Sequence, residues 1–252
     1  CKETGGTRAI PKILSGETNP SGRLTDTWSN DYTIEPSYNN SERNGNNLAY
    51  VENCYFGYRF YETADEEGYF DDKEFEDLKG YDAAVTYPFG YGLSYTTFEW
   101  KLDSMDVVED SEINGNTHFK YSFSCTNTGN VAGKDVIQVY YSAPYYNGQI
   151  EKSAINLADF AKTVELEPGK TQTDIVVEFD SYDMASYDCY DANDNGFAGY
   201  ELDPGDYTIS FRDTAHTLKE VKSIDGKSIK NKVHYTVGSS GVKLEKDPTT
   251  GE

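Results

Sequence analysis

Three groups of residues in this chain of 252 have types and spacing suited to chemistry. The first is Asp191-Ala192-Asn193-Asp194-Asn195-Gly196, which sets oxygen-bearing side chains at alternate positions, as in the first half of a calcium loop. In a helix-flanked calcium loop the twelfth position supplies a bidentate Glu, and here that position is Leu202. The incomplete set favours a polar β-turn, with calcium at Asp191, Asn193 and Asn195 kept as an alternative. The second group is the acidic run Asp65, Glu66, Glu67, Asp71, Asp72, Glu74, Glu76 and Asp77. Such runs attract cations but are usually solvated loops, and a structural role is expected. The third is the set of His and Cys side chains. His118, His216 and His234 are scattered and form no constellation. Cys1, Cys54, Cys125 and Cys189 contain no C-x-x-C pair, so zinc and redox motifs lack support and reduced, partly buried thiols are expected. No cofactor is implied.

The elements that would position such groups read as follows. Hydrophobic residues make up 37% of the chain and aromatics 14%, with 22 tyrosines, enough to bury a sizeable core. The formal net charge of −22 repels phosphate backbones and argues against a nucleic-acid partner. No run of 18 apolar residues is present, so no membrane span is expected. The chain opens Cys1-Lys2-Glu3-Thr4-Gly5-Gly6, which has no leader texture, and the compartment stays open between bacterial cytoplasm and secretion.

Residues 7–14 suit a short helix with Pro11 in its first turns and Gly16 at its end. Asn19-Pro20-Ser21-Gly22 is a turn signal. Residues 24–48 are polar and irregular, and Tyr55-Phe56-Gly57-Tyr58-Arg59-Phe60-Tyr61 is dense in rings, where Arg59 suits stacking or a buried ion pair. From Thr97 the texture changes to β-branched and aromatic runs at 98–108, 117–124, 134–141, 161–166, 171–179 and 206–211, separated by turn signals such as Glu167-Pro168-Gly169 and Asp203-Pro204-Gly205. About seven short strands with this spacing predict an antiparallel β-sandwich. After Thr214 the apolar pattern fades, and 219–252, with one modest apolar patch at Val233 to Val237, reads as a linker or extension.

One stretch narrows this further. Pro88-Phe89-Gly90-Tyr91-Gly92-Leu93-Ser94-Tyr95-Thr96 resembles the closing motif of the sandwich domain in glycoside hydrolase family 3. Ile13 through Leu24, with its Asn19-Pro20-Ser21-Gly22 turn, looks like that family's helix–turn sequence, and Tyr55 through Tyr61 resembles its Val-Gly-Tyr-Arg-Tyr segment. Thr126 through Tyr140 looks like the signature of its fibronectin type III-like domain, and Leu157-Ala158-Asp159-Phe160-Ala161-Lys162 and Leu166-Glu167-Pro168-Gly169 follow at that domain's spacing. The resemblance covers roughly residues 5–215 in consistent order.

The resemblance implies a partial α/β sandwich domain at 1–98 followed by an immunoglobulin/fibronectin III-like β-sandwich at 99–218. It implies the accessory portion of a retaining β-glycosidase, a β-glucosidase above all, acting on β-linked oligosaccharides or glucosides. The family's nucleophile lies on a TIM-type barrel and its acid/base Glu upstream of the Asn-Pro-Ser-Gly turn, so no catalytic residue is expected in this chain. A barrel on the same gene product or a second chain is the implied partner. Some bacterial members place the barrel after the fibronectin-like domain, and 219–252 would suit a linker to it. Asn30-Asp31-Tyr32 looks superficially like the nucleophile context, but no barrel strand precedes it and a surface loop is expected; Ser15-Gly16-Glu17 is better explained by the family turn than by an acid/base Glu. Trp28, Tyr32, Phe89 and Tyr91 are the candidate sugar-binding residues, since aromatic faces stack on pyranose rings; for Phe89 and Tyr91 packing is the favoured role. The alternative to an enzyme portion is a carbohydrate-binding or structural β-sandwich module.

Overall fold

The alternation at Thr117–Asn127 is realised in the computed structural model, which describes residues 4–40, 49–109, 116–223, 228–229 and 232–245. Phe119, Tyr121, Phe123 and Cys125 are buried on one side of this strand, while His118, Lys120 and Ser122 between them are only half-buried. A strand with that pattern must lay its apolar side on another layer. It sits in a five-stranded sheet ordered Ser228–Ile229, Val221–Lys222, Phe98–Glu109, Thr117–Asn127, Thr171–Asp180. The facing sheet has four strands, ordered Lys232–Val237, Gly205–Arg212, Val136–Ser142, Asn156–Lys162. Phe211 meets Phe123 and Tyr121 edge-on at 5.1 and 5.6 Å between ring centres, which ties the two sheets face to face. The β-sandwich is thus as expected.

Two boundaries differ. The run expected at 161–166 is a strand at Asn156–Lys162 instead. Residues after it turn back so that Leu166 and Gly133 exchange backbone hydrogen bonds, an isolated bridge that closes the sandwich edge. The second difference is larger. The region from 219 onward, expected as a linker or extension, carries sandwich strands: Lys232–Val237 pairs antiparallel with Gly205–Ser210, and Val221–Lys222 pairs parallel with Trp100–Lys101. Val221, Val237 and Leu244 are buried. The physical reason is period-two patterning, Val233, Tyr235 and Val237 against Lys232, His234 and Thr236, which a polar average over the whole tail conceals. Within the same stretch 224–227, 230–231 and 246–252 lie outside the described residues.

The preceding part is thinner. A helix spans Thr4–Leu14 with Pro11 in its interior, not in its first turns. A second helix, Tyr58–Glu66, packs Tyr61 and Ala64 against Phe70, Tyr81, Ala84 and Val85. The acidic run is no simple loop: it begins on that helix and ends in a hairpin of Glu74–Phe75 with Leu78–Lys79. No helix among the described residues is long and apolar enough to cross a membrane.

Val136–Ser142 joins the two parts. Ile137, Val139 and Tyr141 face the sandwich core, yet Gln138 and Tyr140 on the opposite side are buried too. A strand of an antiparallel sheet covered on both faces needs a second layer. Here that layer is the segment before Thr97: Tyr140 packs with Ile155 and Ala215, against Tyr58, Phe89 and Leu157.

Candidate functional site at the junction

The stretches that carry the resemblance, far apart in sequence, meet at this junction. Leu24 and Tyr91 share a backbone hydrogen bond of 2.8 Å, and Gly90 N–H donates to Leu24 O at 2.8 Å. The chains approach so closely that a Cβ on Gly92 would lie 2.5 Å from the Gly22 carbonyl oxygen, which is why only glycine fits there. Asn19 clamps both other stretches: its Nδ2 donates to Ala132 O at 2.9 Å and its Oδ1 accepts from Tyr95 N–H at 2.8 Å. Arg23 pairs with buried Asp135, whose other oxygen accepts from Trp100 Nε1 at 2.8 Å. Asn127, fully buried, accepts from Thr96 Oγ1 and Gly129 N–H and donates to Val131 O and Leu166 O. Each buried polar group so paired avoids a desolvation penalty of about 1–3 kcal/mol.

A cavity of 730 Å³ opens along this seam, lined among others by Arg23, Tyr81, Tyr91, Asp135, His216 and Lys219. Two of its lining residues, Tyr81 and His216, share the buried Glu62: Tyr81 Oη donates to its Oε1 at 2.5 Å and His216 Nδ1 lies 3.0 Å from its Oε2. The His216 and Tyr81 rings stack, 3.6 Å apart and 8° from parallel. Burial acts to lower the His216 pKa, but the hydrogen bond and charge of Glu62, with Asp65, outweigh it and the net shift is upward. Burial, then Glu62, raises the Tyr81 pKa, so the phenol stays a donor. This triad can hold a proton, and it bridges the preceding part (Glu62, Tyr81) to the sandwich (His216).

Of the aromatic candidates, Trp28 and Tyr91 come together and Tyr32 and Phe89 do not join them. Trp28 lies on a short strand, Trp28–Ser29, paired with Val85–Tyr87, and is 52% exposed. Tyr87 bridges it to Tyr91, with ring centres 6.1 and 4.8 Å away. Tyr32, 60% exposed, sits in the turn Tyr32–Ile34. Phe89 stacks on Tyr58 at 4.4 Å in the junction core, a packing role. Asp31 caps that turn, accepting from Thr33 N–H and Oγ1 at 3.0 and 2.6 Å, and these bonds hold its carboxyl below the usual range. Glu17 makes an exposed ion pair with Lys12. Arg59 lies over the Phe56 and Tyr58 rings at 5.8 and 5.9 Å. Asn193 and Asn195 converge on Glu201. Cys125 is buried, its thiol pushed up to about 12, and Cys54 is half-buried, whereas Cys189 is exposed, contrary to expectation; Cys1 lies outside the described residues. Tyr87 and the Glu62–His216 pair were not found from sequence: Tyr87 adjoins the motif without a distinguishing pattern, and 154 positions separate Glu62 from His216.

Residues 135–214 match the family model of the fibronectin type III-like domain. The chain is 35% identical to β-glucosidase A of Butyrivibrio fibrisolvens over 243 residues, covering 90% of this chain and 27% of that protein. It is similar in structure to a β-glucosidase from Paenibacillus barengoltzii, with a TM-score of 0.70 and 32% identity over 93% of this chain and 22% of the other. β-Glucosidase 3B from Thermotoga neapolitana, solved in complex with glucose, gives a TM-score of 0.64 at 30% identity over 92% of this chain and 26% of its own. The chain therefore spans about a quarter of the length of these relatives. By sequence and fold together the chain matches glycoside hydrolase family 3 β-glucosidases over most of its own length and carries a fibronectin type III-like domain.

Proposed function

We propose that this chain is the accessory portion of a retaining β-glucosidase that releases terminal β-linked glucose from oligosaccharides or glucosides. Retention by double displacement needs two carboxylates about 5 Å apart, one nucleophile and one acid/base, supplied from outside this chain by a TIM-type barrel on the same product or a second chain. The role of this chain is to brace that barrel and offer one wall of the site. The observation that carries this reading is the contrast at the junction: a seam locked by Asn19, Gly92 and Asp135 beside an uncovered strip of Trp28 and Tyr87 with Tyr91. Ile10 and Leu14 are exposed on the first helix, apolar surface suited to a further layer.

The same exposed rings favour a second reading, a carbohydrate-binding module, because aromatic faces also hold glucan without catalysis. Retention on insoluble cellulose separates the two: a bracing portion washes through and a binding module stays bound. The native mass of the purified material is the companion measurement. A second component large enough for a barrel supports bracing, and a lone 28.3 kDa species that binds glucan overturns it.

A further inference from the structure

The Asp191–Gly196 loop lacks its twelfth-position Glu, but the structure supplies a carboxylate from the position before it. Glu201, on the strand Gly199–Leu202, is 2% exposed. Its Oε2 accepts from the side-chain amides of Asn193, at 3.2 Å, and of Asn195. Its Oε1 is buried with no hydrogen-bond partner. Among the described residues no Lys, Arg or His pairs with Glu201; Lys152 is taken by Asp203, and Lys243 Nζ donates to the Asn195 carbonyl at 2.7 Å. An ionised carboxylate buried without a countercharge is costly, and one with an idle oxygen points to a missing cation.

The loop is already shaped for one. Asp191 accepts backbone N–H bonds from Asn195 at 2.8 Å and Gly196 at 3.0 Å, which wrap the loop around its carboxylate. Gly196, at φ +77°, stands at the sixth position, where calcium loops need glycine for the sharp turn. Asp188, also buried, caps the loop through Tyr190 and Ala192 N–H. Half a turn of each carboxamide about its last torsion would set a carbonyl oxygen toward Glu201 in place of each amino group, at the loss of the Asn193 bonds to Asp203 and Asn195 N–H. Among the described residues no three His, Cys, Asp or Glu side chains cluster to hold a metal, so a cation here would draw part of its oxygen set from the two carboxamides. A donor set of one carboxylate from the strand, loop carboxamides and Asp191 is all oxygen, the chemistry of calcium.

We propose that Asp191, Asn193, Asn195 and Glu201 form a calcium-binding site that fastens the 188–203 loop to its strand. Burial first, then the charges of Asp203 and Asp188, raise the Glu201 pKa against the hydrogen bonds of the two Asn side chains, and a bound divalent cation reverses that shift. The test is calorimetric titration of the EDTA-treated chain with calcium chloride, with magnesium chloride as comparison, followed by terbium luminescence. Tyr190 and Tyr200, exposed beside the loop, serve as sensitisers. One calcium per chain is expected, with a dissociation constant on the order of 10⁻⁴ to 10⁻³ M, a higher melting temperature in calcium and weaker magnesium binding. Glu201→Gln, similar in size, is expected to weaken binding at least about tenfold. Should that variant fail to fold by circular dichroism, Asn195→Ala on the exposed loop is expected to show the same loss. No calcium heat and no melting shift at about 10 mM calcium, above the weakest such sites, overturns the proposal. So does calcium affinity unchanged in the folded variant.

Discussion

The two faces of the four-stranded sheet are both buried but are held by different physics. On the inner face Ile137, Val139, Tyr207, Ile209 and Phe211 fill the sandwich with apolar contacts. On the outer face Gln138, Tyr140, Ser210 and Arg212 pair by directed hydrogen bonds, one of which, from Gln138 to Gly90 O, crosses to the preceding part. Gln138 Nε2 donates to Asp213 O at 2.7 Å and Gly90 O at 3.3 Å, and its Oε1 accepts from Tyr140 Oη at 2.8 Å. Arg212 donates to Ser210 Oγ and to the Ala215 and His216 carbonyls. Apolar burial is non-directional and tolerates volume-conserving exchange, whereas a hydrogen-bonded face fixes position and orientation. The inner face makes the sandwich fold, and the outer face seats the preceding segment through the packing of Tyr140 against Tyr58 and Phe89 with the Gln138–Gly90 bond beside it.

The largest effect is expected on the inner face. Phe211→Ala should cost about 3–5 kcal/mol in denaturant unfolding, while Phe211→Leu, closer in volume, should cost less. Equal costs would mean that the inner face is not packed as described. Next comes the seam. Asp135→Ala strands the Arg23 guanidinium and the Trp100 Nε1–H together and should cost about 3 kcal/mol, the low end for breaking a buried pair. Gln138→Ala should cost about 1–3 kcal/mol, as expected for orphaned buried partners. Unlike Phe211→Ala, it should speed proteolysis within residues 49–97 before global unfolding; cleavage that follows only global unfolding would erase the distinction between the faces. The smallest effect is a pH dependence at His216. Its folded pKa is raised, so its contribution is complete below the unfolded value of about 6.5 and is lost as pH rises through the folded value. His216→Gln should flatten the stability profile in that window, and an unchanged slope would remove the Glu62–His216 bond from the account.

The sandwich was legible in the sequence because period-two patterning is local: Phe119, Tyr121, Phe123 and Cys125 announce their strand without help. The motif residues Asn19, Gly92 and Asp135 were legible as a resemblance, but their shared purpose was not, since Asn19 and Ala132 touch only after 113 positions of chain have folded back. Lys232–Val237 shows in the sequence only as a modest apolar patch at 233–237, too short within a polar tail to stand out as a strand. Trp28 and Tyr91 were named for their ring type; that Tyr87 joins them follows from strand pairing with Trp28, a register no local signal specifies. Glu201 drew no notice from sequence because the helix-flanked calcium loop takes its carboxylate from the twelfth position, where Leu202 stands.

The central claim is that this chain braces and walls a β-glucosidase site without performing the chemistry. Turnover of an aryl β-glucoside by the purified chain, alone and with the barrel polypeptide added, tests it most directly. The account predicts no turnover alone and hydrolysis with retention once the barrel is present; hydrolysis by the chain alone would contradict it.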